Sequence, residues 1–411
     1  MVTLFLRAAA LALAMLLPAL AAAAPLTLTQ ALDLALQRSE ATRSARAGVA
    51  SASQAARAAG QLPDPTLRAG VDNLPVTGTD RFSTTRDAMT MKRIGIGQEW
   101  VSAEKRAARQ AAADAMVNRE SISVQAAAAE VRLQTALAYL DAYFAGEALK
   151  LSTLSEHHLR EELEAAKARL SSSAGSSQDV LASASARGMG EDESAEIGQQ
   201  QSAARVALER WVGVSADELA APVELAIAGE QAFVANHPSV LAAQRDIELA
   251  RQEAAVAASN RTPNWSWEVS YGQRTGYADM VSFGVSIPLP VAPAERQDRE
   301  TASKLALVDK AEAHLAEATR IAEGEFRGLS SDAQRLTDRL QRYRSSVVVP
   351  ARQRTAAALA GYRSNQVTLM SMFEARHSEV EAQRKLLSLQ RELAKAQAQL
   401  AYKPLLNGAT R

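Results

Sequence analysis

Few residue patterns in this chain could support catalysis or bind a metal. None of the 411 residues is Cys, which excludes disulfides, thiolate metal sites and a Cys nucleophile. His157 and His158 are adjacent, so on a helix their side chains point about 100° apart and do not form an i, i+4 metal-binding pair. We interpret both as solvated helix positions. There is no phosphate-binding Gly loop and no nucleophile elbow. The formal net charge of zero argues against a nucleic-acid partner. We therefore expect no enzyme activity, no cofactor and no resident metal.

The N-terminal residues 1–24 have the features of a secretory signal peptide. Arg7 precedes an apolar run over 8–20, and small residues at 21–24 lead to Pro25. A retained anchor helix is the alternative, which the short apolar run disfavours. We expect export in a Gram-negative bacterium. No later segment approaches the roughly 20 apolar residues of a spanning helix, so a membrane location would require a β-barrel.

The chain is organised as an internal repeat. A shift of 200 residues places the first copy on the second. The aligned pairs are Ala35 with Ala235, Ser39 with Ser239, Ala50 with Ala250, Ala55 with Ala255, Ala58 with Ala258, and Pro63 with Pro263. After each Pro the spacing changes from helical to alternating, which chance matches among Ala residues do not explain. Each half predicts a helix, two strands around a loop, a long helix, a turn and a returning helix.

These patterns predict the following division of the chain. We expect a first repeat at 25–212, a linker at 213–225, a second repeat at 226–403 and a C-terminal tail at 404–411. The first repeat begins with a helix over 28–62. Strands are expected near 66–73, 94–100, 265–272 and 281–288, and helix tips near 171–177 and 361–366.

Two segments are too long for helices of a compact domain. The first runs from 102 to about 170 without Pro, and as one helix it would span roughly 100 Å. The second runs from 293 to 360 with a break at Pro350. The returning helices are expected over 178–212 and 367–402. Such lengths favour coiled-coil packing or the wall of a helical tube.

The predicted strands have one apolar face and one small or polar face. Four strands cannot close a membrane barrel, because the smallest known barrels have about eight, and open edges are not tolerated in lipid. Two copies would give about eight strands, which side chains fill, whereas three give about twelve and leave a lumen. We therefore predict a homotrimer that combines a membrane β-barrel with an α-helical barrel. The predicted lipid-facing and girdle residues are Trp100, Trp265, Trp267, Val269, Tyr271, Phe283 and Ile287. A soluble β-sandwich fragment packed on helices is the alternative.

Several short motifs resemble a known family. The chain resembles the outer-membrane factor (TolC-like) family over essentially its whole mature length. Within that family it looks like the metal-efflux branch of tripartite RND systems. The motifs that carry the resemblance to this branch are Gly60-Gln61-Leu62-Pro63-Asp64-Pro65, Asp72-Asn73-Leu74-Pro75 and Met89-Thr90-Met91. The resemblance implies a trimeric β-barrel on a long periplasmic α-barrel, docked to a periplasmic membrane-fusion adaptor and, through it, to an inner-membrane RND pump.

The resemblance also implies functional positions at the helix tips. Aligning Tyr362 with the family's tip Tyr places Ser371 and Glu374 where two constriction carboxylates often stand, and this chain keeps only the second. The family's Arg five residues after that Tyr is Val367 here, so this chain lacks the arginine of the family's ionic latch. Asp179 follows the first tip in a comparable place. The candidate adaptor contacts are Arg169, Leu170, Ser176, Ser177, Gln178, Arg363, Asn365 and Gln366.

The sequence thus predicts a passive outer-membrane exit duct for heavy-metal cations. The same channel could instead serve drug efflux or type I protein secretion, because a conduit selects by size and charge more than by detailed chemistry. The alternative from another class is a periplasmic coiled-coil adaptor or scaffold without a pore. That alternative would need soluble β-domains in place of two matched hairpins with apolar faces.

Overall fold

The computed structural model describes residues 25–364 and 366–405. The predicted signal peptide at 1–24 lies outside the described residues, as do Asn365 and most of the predicted tail. The helices are α1 Leu28–Arg38, α2 Glu40–Ala59, α3 Ala103–Ser171, α4 Ser177–Val212, α5 Glu230–Ala235, α6 Pro238–Ser259, α7 Gln297–Tyr343, α8 Val349–Arg363 and α9 Leu369–Tyr402. The strands are β1 Thr66–Asp72, β2 Met91–Trp100, β3 Trp265–Gln273 and β4 Met280–Ser286.

The order of elements is the same in both halves of the described chain. The series α1, α2, β1, β2, α3, α4 is followed by α5, α6, β3, β4, then α7 with α8, and α9. This confirms the mainly helical fold with two structural repeats and four strands. Two compact units can be distinguished, and each contains segments from both halves. Unit 1 takes the described residues of Met1–Arg38, Val131–Ala226 and Asp332–Ala398, and unit 2 takes those of Ser39–Glu130, Ile227–Ser331 and Gln399–Arg411.

The helix predicted over 28–62 is wrong as a single element, because it is divided at Ser39. The backbone of Ser39 is extended, and its Oγ accepts the N–H of Thr42 at 3.0 Å. Ser39 is therefore the N-cap of α2 and satisfies a donor that the first turn leaves unpaired. The helix α2 ends at Ala59, before Pro63 is reached.

The long helix of the first half is confirmed as the single helix α3, which has 69 residues. Its counterpart is interrupted by a π-helical turn, Arg344–Val348, between α7 and α8. Pro350 has no N–H to donate, and its ring would collide with the carbonyl group four residues earlier. The wider turn removes that collision, so the break predicted at Pro350 lies just before it.

The four strands form one antiparallel sheet in the order β1-β2-β3-β4. The strand β2 begins at Met91, three residues before its predicted start, because Met91 pairs with Asp72 at the far end of β1. Beyond that pair, the Thr90 hydroxyl donates to the Asn73 carbonyl oxygen at 3.0 Å and holds the base of the loop. The strand β4 ends at Ser286, two residues before the predicted end. Pro288 follows, and a Pro cannot donate to a strand ladder.

Unit 1 contains a buried tyrosine that fixes the segment after α4. The Tyr139 hydroxyl lies 2.8 Å from the Leu26 carbonyl oxygen and 2.6 Å from that of Ala220. Burial raises the pKa of Tyr139 to about 12. Leu26 and Leu219 also form an isolated parallel bridge, so the start of the described chain is held against the linker.

Unit 2 contains a buried lysine at the end of the sheet where β2 leads into α3. The Lys105 Nζ donates to the Thr262 carbonyl oxygen at 2.8 Å and to Asn264 Oδ1 at 2.9 Å. The Asn264 amide in turn donates to Glu99 Oε1 at 2.7 Å. This network joins the first turn of α3 to the residues that precede β3.

Within the described residues, no helix is both long enough and apolar enough to cross a membrane.

Candidate functional site

The sheet separates its side chains by polarity. Residues paired across β1, β2 and β3 share a face, as in the series Leu67, Ile96, Val269. The first face carries Leu67, Ala69, Val71, Ile94, Ile96, Trp100, Trp265, Trp267, Val269, Tyr271, Val281, Phe283 and Val285, with Lys92, Gln98 and Gln273 among them. The opposite face carries mainly Ser, Gly, Thr, Arg, Asp and Glu. We call these the apolar face and the polar face.

The apolar face is exposed in the described chain. Leu67 and Val281 are each 73% exposed, and Phe283 is 70% exposed. Fully burying a side chain of this size stabilises a protein by about 1.5–3 kcal/mol. A row of such residues left in water is therefore a large cost for a single chain and marks an interaction surface.

The predicted girdle residues gather on this face. Trp100 and Trp265 are paired in register, and their ring centroids lie 6.0 Å apart. Both occur where the strands join the helical segments. Trp267, Val269, Tyr271 and Phe283 share the face, and Ile287 follows the end of β4 as an exposed residue.

The sheet bends toward its polar face between β2 and β3. A Cβ placed on Gly95 would lie 2.7 Å from the Ser270 Cβ, whereas directly opposed Cβ atoms in flat antiparallel sheets are about 4.5–5.5 Å apart. Ser270 is buried in consequence. A groove of about 1090 Å³ lies along this face. The polar face is therefore the concave one, and glycine is required where it is most crowded.

Two ion pairs cross the polar face. Arg68 Nη1 lies 2.8 Å from Glu268 Oε2, and Arg93 Nε lies 3.1 Å from Asp72 Oδ2. Sequence reasoning missed both pairs. One signal was available, because Arg68 and Glu268 are 200 residues apart, which is the repeat offset.

At the first helix tip, Asp179 has a local structural role. Its backbone N–H donates to Ser176 Oγ at 3.1 Å, and its Oδ2 accepts the Ser176 N–H at 3.2 Å. This reciprocal capping box begins α4. Across the turn, Arg169 Nη2 donates to the Ala174 carbonyl oxygen at 3.1 Å. The other predicted contacts here, Leu170, Ser177 and Gln178, are exposed.

At the second tip, Val367 packs where the family resemblance places an Arg. A Cβ on Gly361 would lie 2.6 Å from Val367 Cγ2, so the valine covers the glycine. The Gln366 N–H donates to the Gly361 carbonyl oxygen at 2.8 Å. The returning helix α9 starts at Leu369, two residues after its predicted start. Arg363 and Gln366 are exposed, and Asn365 lies outside the described residues.

The three candidate constriction residues do not line a common cavity in one chain. Asp179 lines a cavity of about 260 Å³ together with Arg169, Thr368 and Phe373. Ser371 and Glu374 are not among its lining residues. The Ser371 N–H donates to Thr368 Oγ1 at 3.2 Å, and the Glu374 side chain is exposed.

A buried acidic residue lies on α3 before the first tip, and no sequence pattern indicated its burial. Glu162 is only 7% exposed, and burial raises its pKa to about 7. His158 is one helical turn earlier, and its Nδ1 is buried without a hydrogen-bond partner among the described residues. Burial lowers the pKa of His158. Its interpretation as a solvated position is therefore wrong, whereas His157 is exposed.

No group of three or more His, Cys, Asp or Glu side chains that could hold a metal ion occurs among the described residues.

Comparison with known proteins defines the fold. No protein-family model and no curated protein match the sequence. Solved structures match over nearly the whole chain. The open state of the Neisseria gonorrhoeae MtrE outer membrane channel aligns at 17% identity and a TM-score of 0.77, covering 92% of this chain and 88% of its own. The Vibrio cholerae outer membrane protein VceC aligns at 18% identity and a TM-score of 0.71, covering 92% and 96%.

A third similar structure is that of CusC, which was studied for its folding and transmembrane channel formation. It aligns at 14% identity and a TM-score of 0.76, covering 91% of each chain. The described chain therefore has the fold of outer-membrane channel subunits, which is the fold that the family resemblance implied.

Proposed function

We propose that this chain is the subunit of a homotrimeric outer-membrane channel in a Gram-negative bacterium, and that the channel is the passive exit duct of a tripartite efflux system. The observation that carries the proposal is the reversed polarity of the sheet. Its convex face is apolar and exposed, and its concave face is polar. A protein folded in water buries its apolar face, whereas lipid outside and water inside favour the arrangement seen here.

The edges of the sheet support assembly. Strands β1 and β4 each pair with one neighbour only within the described chain. In lipid an unpaired edge leaves backbone groups without hydrogen bonds. Pairing β4 of one copy with β1 of the next removes both edges, and three copies close a barrel of twelve strands.

The helix tips provide the contacts with the rest of the system in this proposal. The exposed side chains of Leu170, Ser177, Gln178, Arg363 and Gln366 would meet a periplasmic membrane-fusion adaptor, which links the channel to an inner-membrane RND pump. Arg169 and Ser176 hold the first turn in shape, so we assign them to the framework of that contact.

A ring of three Glu374 side chains, with Ser371 on the same helix, forms the constriction in this proposal. The carboxylate of Glu374 is exposed and has no ion pair among the described residues, so three copies could approach one axis and attract cations. Glu374→Ala should raise single-channel conductance or weaken cation selectivity in a planar bilayer. An unchanged current trace excludes the ring. Asp179 contributes less here, because its carboxylate is engaged in the capping box.

For the cargo, we propose heavy-metal cations. The support is the resemblance of the motifs at 60–65, 72–75 and 89–91 to the metal-efflux branch. Deletion of the gene should sensitise cells to metals in a growth panel of metals and drugs. Sensitivity to drugs alone would show the cargo assignment to be wrong and leave the channel assignment intact.

The channel itself is tested by location and assembly. Outer-membrane fractions should contain a heat-modifiable trimer band. A mature polypeptide that is a water-soluble monomer without detergent contradicts the proposal and favours the adaptor or scaffold alternative.

A further inference from the structure

The ion pair between Arg68 and Glu268 joins two strands that are not neighbours. Arg68 lies on β1 and Glu268 on β3, and β2 runs between them. The pair nevertheless closes to 2.8 Å on the polar face. Both side chains must therefore lie across the intervening strand, over the concave surface of the sheet.

Two glycines in β2 make this crossing possible. Gly95 is the register partner of Arg68, and Gly97 is the register partner of Glu268. A Cβ on Gly97 would lie 3.7 Å from the Glu268 Cβ, so a larger residue there would occupy the path of the pair. The absence of side chains at 95 and 97 leaves the space that the guanidinium and carboxylate groups use.

The pair contributes little to stability, so its main effect is electrostatic. The Arg68 side chain is 67% exposed and that of Glu268 is 25% exposed. Ion pairs this accessible to water add little to the free energy of folding. Both residues nevertheless line the groove on the polar side of the sheet.

We propose that the pair of Arg68 and Glu268 sets the charge selectivity of the duct at the level of the sheet. Because each charge cancels the other, the pair adds no net charge to the bore there. The inference rests on the proposed function, in which the polar face lines the bore. Three such pairs surround the bore of a trimer. Removing one partner exposes a ring of three like charges to passing ions, and rings of charged side chains select ions of opposite sign.

The test is the reversal potential of purified trimers in planar bilayers under a KCl gradient. Glu268→Gln leaves three unpaired arginines, so the ratio of potassium to chloride permeability should fall by roughly twofold or more. Arg68→Gln should raise the same ratio by a similar factor. The exchange variant Arg68→Glu with Glu268→Arg should restore the wild-type ratio. Arg68→Lys, which keeps the charge, should leave the ratio unchanged.

The control is Lys92→Gln on β2. Lys92 lies on the apolar face, in register with Val71 and Gln273. The substitution removes one charge, as Arg68→Gln does, but from the outer side of the sheet. We expect no change in permeability ratio.

The outcomes separate this inference from the proposed function. Wild-type protein that forms no conducting pores overturns both. This inference alone is overturned if the protein forms conducting pores but Glu268→Gln and Arg68→Gln leave the permeability ratio unchanged. It is also overturned if both variants shift the ratio in the same direction. If the single Gln variants do not assemble, the exchange variant tests the inference. A permeability ratio equal to that of wild type supports the cancellation of the two charges, and a different ratio contradicts it.

Discussion

The sheet of unit 2 and the helix tips of unit 1 differ in how many of their residues have a structural role within a single chain. At the tips, most polar residues have a local structural role, since Ser176 and Asp179 cap α4 and Thr368 supports the first turn of α9. Val367 covers Gly361 there. On the apolar face of the sheet, most of the large side chains have no such role and are exposed. The exposed apolar face, which has no structural role within one chain, is thus a stronger indication of function than the helix tips are.

The largest effect that tests this contrast is expected on the apolar face. Phe283→Asp places three carboxylates against lipid in a trimer. A lipid-facing Arg or Lys costs about 2–4 kcal/mol at the bilayer midplane and an acidic residue costs less, so the three carboxylates together are a substantial penalty. We expect loss of the heat-modifiable trimer from outer-membrane fractions.

The matched control is the neighbouring residue on the polar face. Ser282→Asp introduces the same group one residue earlier in β4, where it faces the groove. It should assemble as wild type. Equal loss of trimer in both variants would mean that the two faces of the sheet do not differ in environment.

A smaller effect is expected from the buried carboxyl group of unit 1. The pKa of Glu162 is raised from its ordinary value of 4.5 to about 7, so folding favours the protonated form. Its contribution to stability is fully present below about pH 4.5 and is lost as the pH rises to about 7. The shift in pKa corresponds to a loss of roughly 3 kcal/mol in the free energy of unfolding over this pH range.

The measurement is the thermal unfolding midpoint of detergent-solubilised trimers, followed by helical circular dichroism between pH 5 and 8. Wild type should lose stability toward pH 7 relative to Glu162→Gln, which cannot ionise. Glu164→Gln is the control, because Glu164 is exposed two residues further along the same helix and pairs with Lys167 at 2.9 Å. The contribution of His158 to stability has the opposite pH dependence. Because its pKa is lowered in the folded chain, this contribution is lost as the pH falls. Parallel profiles for wild type and Glu162→Gln would show that the carboxyl group is not buried.

The smallest effect is expected at the first tip. Ser176→Ala removes the side-chain acceptor of the capping box, which is worth about 1 kcal/mol. The amide of Asp179 should exchange its hydrogen several-fold faster. Ser177→Ala serves as the control, since Ser177 is the first helical residue and does not accept the cap hydrogen bond. An unchanged exchange rate at Asp179 would show that the cap is absent in solution.

The same two regions show what the sequence could and could not predict. Strand alternation located the sheet, because side-chain direction follows the chain with a period of two. The capping box has a sequence signature too, a Ser followed three residues later by an acidic residue, but the family resemblance placed Ser176 and Asp179 at functional positions instead. The burial of Glu162 was not predictable, because burial depends on tertiary packing; the charge that acts on Glu162, that of Arg376 on α9, is more than 200 residues away in the sequence. The pair of Arg68 and Glu268 needed the strand order, which the repeat alone does not give.

In the proposed channel, the apolar face meets lipid and the polar face lines a wet bore. The absence of Cys from the chain allows a direct measurement, because each introduced Cys is the only thiol. Single substitutions from Val281→Cys to Ser286→Cys should be tested in outer membranes with a charged maleimide. We expect reaction at 282, 284 and 286 and protection at 281, 283 and 285. Reaction at all six positions, or the reverse alternation, would contradict the assignment of the two faces.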